Sequence, residues 1–594
     1  MLENLSIDFF LAEEWSKKDI QKLQNIKAKI LKEFIKISSE NNNLSYDETN
    51  ILIKINSNKS IASFLDILTK VDKYILENKV TTTIIKTNQQ KLLNNRLFKK
   101  NLGDSLDLRY LIFKEILKIN NISCPKLTQQ KIRLYKSSDL KVKITKKEFF
   151  WRILNKLKKL TISTEVRHQA ISKLSHKIGY LDVDTRILDI KGIDFIKVPK
   201  INFKSKNNKK QKIIFFNRYK IIFYNNLKRK FKNLKYFKIN FNQKLSNLLL
   251  VILIEKNHEI ILNKKLISRF VDYYQKFYYK NKIQFLLHQN EWSNRIAPAL
   301  AAIAAKRKNL ILLTIQNNGG GCIYERGYNL DWNGKVSDPN NFSDYFFAWS
   351  DWAFKNNSHI NYIKSPSINL SYKKNLYKKN FCFNNIKNKK LNFLFSPTSL
   401  SSLFEIHCTH GLTSSKMHKH RQFINNFFLY LDNHLSDIKI TIFIKLKGFG
   451  ETIFENQEWM FYPFMNLKNI KIKYLKEGLS EDYFDYMDLH IIDGPSTSLA
   501  NSINYNIPFI TIWNKKIFKA RKEYFSIFNQ LKKNNLICED KKLFIKIINK
   551  KYYYNFFYNK KLIAVKKIFC NFFVNTSDTF FDLFVKNINS MKKN

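Results

Sequence analysis

Three hydroxyl side chains follow a sharp turn in the C-terminal half of the chain, where they could bind an anion. The apolar run Leu489–Ile492 predicts a short β-strand, and the Asp-Gly-Pro sequence of residues 493–495 predicts a turn at its end. Ser496 and two further hydroxyl residues come next, at the predicted start of a helix over residues 499–505. A second apolar run over residues 507–513 completes a βαβ unit.

The start of a helix is a natural anion site, because its first backbone N–H groups have no partner inside the helix and carry partial positive charge. In open α/β sheets, ligands lie at the carboxyl ends of the strands, which is where this turn is placed. The alternative is that Ser496 only caps the helix, as serine commonly does. The neighbouring Thr497 and Ser498 favour phosphate binding.

A glycine-rich loop follows another predicted strand, residues 310–315. Three consecutive glycines in a chain with only 13 let backbone N–H groups approach a ligand closely. The spacing matches neither the dinucleotide-binding GxGxxG pattern nor a Walker A loop, so NTP hydrolysis is not indicated. A flexible turn is the alternative reading. The residues of this loop that could bind a sugar are Gln316, Asn317, Gly319, Gly320, Gly321 and Tyr324.

Candidate general bases lie near the ends of predicted strands in the same part of the chain. Glu291 and His288 follow an apolar run, and Glu325 follows the glycine loop. Glu291 could instead be a first-turn charge of the Ala-rich helix predicted over residues 293–308, with Ser293 as its N-cap. The general base therefore stays unassigned, with Glu291 and Glu325 as candidates.

A loop rich in histidine, hydroxyl and basic residues follows the strand predicted over residues 391–395. Its four histidines suggest a metal, but no HExxH or other firm ligand spacing is present, so no metal site is predicted. Its basic and hydroxyl side chains suit a phosphate or carboxylate better. Two lysines ending the strand predicted over residues 438–446 could add positive charge or could simply be solvated. The candidates for anion binding here are Ser396, Thr398, His410, Arg421, Lys445 and Lys447.

The composition bounds the class of protein. With 594 residues the chain should form two to four domains. Its formal net charge of +56 comes mainly from lysine and is accompanied by abundant phenylalanine, which we attribute to an A+T-rich genome. Lysine is poorly suited to bidentate base recognition, and no nucleic-acid-binding motif is present. The charge should still favour anionic membranes and anionic substrates.

Cysteine usage and the N-terminus favour a cytoplasmic protein. The six cysteines include no CxxC pair and indicate neither a zinc site nor a disulfide framework. No signal peptide is evident, and the longest strongly apolar run, residues 248–254, is too short to span a membrane. We expect a cytoplasmic protein that could contact the inner face of the cell membrane.

The apolar pattern divides the chain into four regions. Residues 1–205 are predicted to be mainly helical, with apolar stripes near residues 20–34, 64–75 and 149–160. Alternating strands and helices predict two parallel α/β halves, residues 213–375 and 390–540, with a connection near residues 356–390. Residues 541–594 should form a helical segment that packs back across both halves. The remaining predicted strands are residues 213–216, 248–254, 283–287 and 470–475.

Together these motifs resemble a family of transferases from bacterial surface-carbohydrate loci, whose architecture is similar to GT-B glycosyltransferases. The resemblance covers roughly residues 213–535. The second-half match is Asp493, Gly494, Ser496, Thr497 and Ser498, followed by Pro508. In the first half the family motif is Gln-His-Gly-Gly-Gly-Tyr-Gly. Here Gln316 and the three glycines match, but two asparagines stand in place of the histidine.

The resemblance implies two Rossmann-like halves that bind a nucleotide-activated sugar between them and pass the sugar to a glycan or lipid-linked acceptor. The donor phosphates would lie on the second half, and the glycine loop would hold the acceptor or the reacting sugar. No metal or other cofactor is implied. Alternatives are a phosphotransferase that uses a CDP-linked alcohol such as glycerophosphate, a nucleic-acid-binding protein, and an inactive scaffold, the last because the histidine is missing.

Overall fold

The computed structural model describes most of the chain in segments. Several residues singled out above lie outside them, namely Glu291, Asn317, Gly319, Gly320, Gly321, Thr398, His410 and Lys447, as does the stripe at residues 149–160. The described residues are 15–40, 44–77, 106–122, 171–183, 187–188, 190–201, 208–231, 241–289, 296–316, 324–325, 343–349, 360–368, 370–371, 390–397, 414–435, 438–445, 467–475, 480–494, 496–514, 516–548, 560–577 and 579–591.

Within the described segments, the helices of the first 280 residues share one hydrophobic core. Their apolar residues recur at helical spacing, and Leu23, Phe34 and Phe64 are at most 1% exposed in this core. Local capping signals set some helix starts: the Asn242 side chain accepts a hydrogen bond from the Leu245 backbone N–H at 2.9 Å. The helices are α1 (Lys17–Ser39), α2 (Tyr46–Glu77), α3 (Leu106–Ile119), α4 (Lys209–Phe231), α5 (Gln243–Ile261) and α6 (Lys264–Lys280).

The first sheet is parallel throughout, with the order β2-β1-β3-β4-β6-β7 among the described residues. One of its faces packs on the helical core, and a short Ala-rich helix, α7 (Ile296–Lys306), covers part of it. The strands of this half are β1 (Ile171–Leu181), β2 (Lys191–Lys197), β3 (Phe285–His288), β4 (Ile311–Ile315), β5 (Tyr324–Glu325), β6 (Tyr345–Ala348) and β7 (Asn361–Lys364).

Two predicted strands of the first half are wrong. Residues 213–216 lie inside α4, and residues 248–254 lie inside α5. The latter run is fully buried, and a continuous apolar run cannot reveal by periodicity whether it is a buried strand or a buried helix. The sheet takes β1 and β2 instead, from the stretch that the sequence analysis assigned to the helical region.

The second sheet is also parallel, with the order β10-β9-β8-β11-β12-β14. In chain order this is 3-2-1-4-5-6, the arrangement of dinucleotide-binding Rossmann folds. The strands of this half are β8 (Lys390–Ser396), β9 (Lys439–Lys445), β10 (Ile470–Leu475), β11 (Leu489–Ile492), β12 (Phe509–Ile512), β13 (Lys519–Ala520) and β14 (Ile537–Cys538), of which β13 lies outside the second sheet. The helices are α8 (Ser414–His434), α9 (Thr497–Asn504), α10 (Phe525–Lys533) and α11 (Lys541–Ile548), with 3₁₀ turns at Ser480–Tyr486 and Lys522–Tyr524. The predicted fold class, two Rossmann-like halves after a mainly helical region, is confirmed.

A half-buried carboxylate in the first sheet and a buried one in the second secure the amino ends of neighbouring strands in the same way. Asp344, just before β6, accepts a hydrogen bond from the Leu312 backbone N–H at 2.7 Å. Asp488, just before β11, accepts one from the Asn392 backbone N–H at 2.7 Å. Burial raises the pKa of Asp488 to about 6. These two carboxylates hold neighbouring strands in register, at the sheet edge opposite the predicted site.

The last two helices pack on different halves. Phe569 and Phe573 of α12 (Lys560–Phe573) belong to the hydrophobic core of the second half. Phe584 and Ile588 of α13 (Phe580–Ser590) instead pack with strand residues of the first sheet, in a hydrophobic cluster separate from the helical core. The C-terminal segment therefore crosses back from one half to the other. Among the described helices, none is both long enough and apolar enough to cross a membrane.

Candidate functional site

The strand order of the second sheet reverses between β8 and β11. These strands are direct neighbours, and Ile492 of β11 is paired with Ser396 of β8. In open α/β sheets the connections from two such strands leave toward opposite faces, and ligands bind in the crevice beyond their carboxyl ends. Asp493 directly follows the carboxyl end of β11, so the turn predicted from the sequence begins at this end of the sheet.

A buried histidine organises the hydroxyl groups at the crevice. His490 of β11 is fully buried, with its Nε2 atom 2.8 Å from Ser396 Oγ and its Nδ1 atom 2.6 Å from Ser502 Oγ. Ser396 Oγ also lies 3.0 Å from Ser480 Oγ. Both ring nitrogens are thus occupied, which fixes the direction of the Ser396 hydroxyl at the end of β8. His490 is not among the residues predicted from the sequence, although a histidine inside an otherwise apolar strand indicates that its polar atoms must have partners.

Burial lowers the pKa of His490 to about 3, so the ring is neutral near pH 7. A neutral imidazole has one N–H donor and one acceptor nitrogen. One of Ser396 and Ser502 therefore accepts a hydrogen bond from the ring, and the other donates one to it. The hydrogen bonds of His490 therefore position Ser396, and the neutral ring brings no charge to the site.

The variant His490→Gln should remove an acid-dependent part of the stability. Between the ordinary pKa of 6.5 and the folded value of about 3, the unfolded chain binds a proton that the folded chain does not. The stability tied to neutral His490 is complete above pH ~6.5 and falls by about 1.4 kcal/mol per pH unit as the pH drops toward ~3. Hydrogen exchange of peptides from β11 at pH 7, 6 and 5, corrected for the intrinsic exchange rates, should show the stability difference between wild type and variant shrinking as the pH falls, with a slope that approaches this value.

The raised pKa of Asp488 acts in the opposite direction, because that group makes the folded chain bind more protons between pH 3.8 and about 6. Since both proteins retain Asp488, its contribution cancels in the difference. A stability difference that stays constant from pH 7 to 5 would show that His490 is not held neutral.

Asp493 contacts two basic residues in the second turn of α8 and just beyond it, His420 and Arg421. Arg421 Nη1 donates a hydrogen bond to Asp493 Oδ2 at 3.1 Å, and His420 Nε2 lies 3.3 Å from the same oxygen. All three side chains are almost completely buried. Arg421 and Asp493 were both predicted to bind donor phosphate. The structure places them against each other, so their charges offset one another and tie the turn after β11 to α8.

Gly494 allows an aromatic ring to lie against this turn. A Cβ atom at Gly494 would stand 3.0 Å from Cε2 of Phe518, tighter than most Cβ contacts, so the ring would have to shift slightly to accept it. The backbone carbonyl of Phe518 accepts a hydrogen bond from Trp513 Nε1 at 2.6 Å, and its ring meets that of His420 edge-on. Close packing at the turn therefore favours glycine, a reason that the sequence alone did not show.

Ser496 occupies the N-cap position of α9 without capping it. Its backbone is extended (φ −139°, ψ 173°), yet its side chain accepts no hydrogen bond from the helix. The Ser496 Oγ atom is buried and has no hydrogen-bond partner within the described segments. Thr497 and Ser498 are half-buried in the first turn. The plain capping alternative is thus not what this side chain does, and its predicted contact with a phosphate stays a prediction.

Lys445 is the last residue of β9, one strand beyond β8 in the same sheet. Lys445 and Ser396 directly follow the paired residues Ile444 and Phe395, so both stand at the carboxyl edge of the sheet. The Lys445 residue is only 6% exposed, which separates it from the solvated lysines of this basic chain. Its position at the sheet edge brings a cation to the same edge as Ser396 and the start of α9.

In the first half, Gln316 contacts Trp349. Gln316 Oε1 accepts a hydrogen bond from the Trp349 backbone N–H at 2.8 Å, and the Gln316 carbonyl accepts one from Trp349 Nε1 at 2.9 Å. Trp349 belongs to the hydrophobic core of the second half. Gln316 therefore helps to join the halves, and its predicted contact with a sugar stays a prediction.

A short strand pair brings the glycine segment to the other half. Tyr324 pairs with Ala520 and Glu325 with Lys519, in an antiparallel ladder between β5 and β13. Ala520 is two residues from Phe518, which covers Gly494. The end of the glycine-rich segment thus lies next to the turn after β11, as a site between the halves requires. Only the backbone of Tyr324 and Glu325 is described, so the predicted roles of their side chains remain predictions.

His288, at the end of β3, is 2% exposed. No group of three histidine, cysteine, aspartate or glutamate side chains within the described segments is placed to hold a metal ion. The histidine-rich loop before α8 lies largely outside those segments, so the absence of a metal site there stays a prediction from the sequence.

No protein-family model and no curated protein sequence matches the chain. Among solved structures, UDP-GlcNAc 2-epimerase from Neisseria meningitidis superposes with a TM-score of 0.36 and 10% identity, over 70% of this chain and 98% of that one. MurG from Acinetobacter baumannii gives 0.32 and 10%, over 70% and 100%. O-GlcNAc transferase from Thermobaculum terrenum gives 0.31 and 8%, over 97% of both chains. TM-scores this low support no argument about function. The proposal below therefore rests on the geometry of this chain alone.

Proposed function

We propose that this chain is a GT-B-like glycosyltransferase of bacterial surface polysaccharide biosynthesis. It would transfer a sugar from a nucleotide-activated donor to a glycan or lipid-linked acceptor at the inner face of the cell membrane. The observation that carries the proposal is the buried Ser496 hydroxyl, which has no partner within the described segments. It stands at the start of α9, beside the strand-order reversal of a Rossmann-like sheet.

The donor diphosphate would take its positive surroundings from three sources. The first-turn N–H groups of α9 and the Ser496 hydroxyl offer hydrogen-bond donors, and Lys445 brings a formal charge at the same sheet edge. Arg421 contributes less charge than the sequence suggested, because Asp493 offsets it. Donors fixed before the reaction stabilise the negative charge that develops on a departing diphosphate, and this is commonly the largest catalytic contribution.

The acceptor side would be formed by the glycine-rich segment. Its end is held against the second half by the β5–β13 pair, close to Gly494. An acceptor bound there would meet the donor across the crevice, and fixed orientation of two reactants can supply much of the rate enhancement. Glu291 and Glu325 remain the candidate bases for activating the acceptor hydroxyl.

A donor panel tests the proposal. UDP-, GDP-, CMP- and dTDP-linked sugars, together with CDP-glycerol, should be screened by thermal shift, since a ligand that binds the folded state raises the melting temperature. Ser496→Ala should weaken the affinity for the stabilising donor roughly 10- to 100-fold, the usual worth of a hydrogen bond to a charged group. Ser526→Ala, at an exposed position on α10, is the matched control and should bind like the wild type.

The panel also separates the alternatives. Stabilisation by CDP-glycerol with no response to any sugar nucleotide would favour the phosphotransferase. No stabilisation by any donor would remove the support for a transferase, and equal affinity of Ser496→Ala and wild type would place the phosphates elsewhere. Release of the free nucleotide in the presence of a lipid-linked acceptor would then distinguish turnover from binding alone.

A further inference from the structure

α4 is strongly basic along its whole length. Eight of its 23 residues are lysine or arginine, and none is acidic. The surrounding sequence extends this pattern, because no aspartate or glutamate occurs between Asp194 and Glu255, whereas sixteen lysines and arginines do. Clustering of one sign of charge creates a local positive potential that attracts anionic partners.

One face of α4 is fully used inside the protein. Phe216, Tyr219 and Phe223 are at most 2% exposed and pack in the helical core. Lys212 on this side forms a fully buried ion pair with Glu255 of α5. These contacts fix the rotation of the helix about its axis, so the opposite face must point outward.

The outward face carries isoleucine as well as cations. Ile214, Ile221 and Ile222 are 56%, 54% and 48% exposed. Single exposed apolar residues are ordinary, but these three recur at helical spacing on one face among exposed basic residues. We call this surface the isoleucine face of α4, and define it by Lys210, Ile214, Arg218, Ile221, Ile222, Lys228 and Arg229.

We propose that the isoleucine face of α4 binds the surface of an anionic lipid bilayer. A helix that lies in the membrane interface needs apolar side chains to enter the acyl boundary and long basic side chains to reach the headgroups. The isoleucine face has both, and none of its residues is an acid that would repel the headgroups. A nucleic acid would pair with the cations but would leave the isoleucines exposed, so the apolar residues favour lipid.

Membrane binding by this face does not depend on transferase activity, and it needs no donor or acceptor. If the proposed function also holds, the face would bring the crevice to the surface that carries a lipid-linked acceptor. The proposal of membrane binding and the proposal of transferase activity can therefore be refuted independently. Vesicle binding can be measured without nucleotide, and nucleotide binding can be measured without vesicles.

Cosedimentation of the full chain with vesicles tests the proposal. Binding is expected with phosphatidylglycerol–phosphatidylcholine vesicles and not with phosphatidylcholine alone, and 0.5 M salt should weaken it. Replacing Ile221 and Ile222 together by Ser should reduce the partition coefficient about tenfold, because buried apolar area is lost at constant charge. Replacing Lys210, Arg218 and Arg229 together by Gln should reduce it by about 100-fold, since each basic residue adds attraction.

Matched variants control for charge and hydrophobicity. Lys516, Lys542 and Lys546, exposed in the second half, are replaced together by Gln, and the exposed Leu76 and Phe525 are replaced together by Ser. Both controls should bind vesicles like the wild type. Far-UV circular dichroism and melting curves should be unchanged in all four variants, because every altered side chain is exposed.

Three results would overturn the proposal. One is no binding to anionic vesicles, and another is binding that the α4 variants leave unchanged. The third is that the charge variant weakens binding of a single-stranded oligonucleotide while vesicle binding stays intact, which would assign the face to nucleic acid.

Discussion

Asp493→Asn should destabilise the second half by about 3–5 kcal/mol, because it leaves the buried guanidinium of Arg421 without its carboxylate. The substitution keeps the size of the side chain, so the effect reports charge rather than packing. Donor affinity should fall as well, since the Asp493 contact ties the turn before α9 to α8. Hydrogen exchange of peptides from β11 and α9 is the measurement, because a chain with several domains has no single unfolding free energy.

A second substitution distinguishes charge from geometry. Removing both charges in Asp493→Asn/Arg421→Met should recover part of the lost protection, as replacing a buried pair by neutral groups often costs little. If the double variant is as unstable as the sum of the single variants, the two side chains do not interact. Protection of β11 unchanged in Asp493→Asn would refute the ion pair as a support of the site.

Lys212→Met should lower the free energy of opening of the helical core by about 3–5 kcal/mol. Lys212 Nζ lies 2.8 Å from Glu255 Oε2, and both side chains are fully buried. Loss of the lysine leaves a carboxylate buried without its cation. Hydrogen exchange of peptides from α4 and α5 should increase accordingly, whereas peptides from β11 should be unaffected.

An exposed pair in the same chain gives the matched comparison. Lys532 and Glu539 also lie 2.8 Å apart, but the lysine side chain is 49% exposed. Lys532→Met should therefore cost at most about 1 kcal/mol. Lys212→Met/Glu255→Leu should regain much of the lost stability, and equal costs for Lys212→Met and Lys532→Met would show that burial does not set the energetics of these pairs.

The second half was readable from the sequence because its strands are short apolar runs bounded by turn residues. Ile470–Leu475 and Leu489–Ile492 were predicted with the bounds that the structure shows. The first half was harder to read. A fully apolar run such as residues 248–254 satisfies a buried strand and a buried helix equally, and only its packing among the other helices decides.

In the candidate site, too, the features formed by neighbouring residues were predicted from the sequence, whereas the contacts between residues far apart in the chain were not. The hydroxyl-rich start of α9 is a local pattern, so the sequence located it. The pairing of Arg421 with Asp493 joins residues 72 apart, and that of His490 with Ser396 joins residues 94 apart. Such contacts follow from strand order, which the sequence did not provide. Two residues predicted to bind phosphate therefore turned out to contact each other.

Crystallography of the chain with the donor that gives the largest thermal shift tests the central claim most directly. The account predicts diphosphate density at the carboxyl ends of β8 and β11, with a phosphate oxygen within hydrogen-bond distance of Ser496 Oγ and of the first backbone N–H groups of α9. Density for the nucleotide at any other place, with Ser496 Oγ still without a ligand, would contradict it.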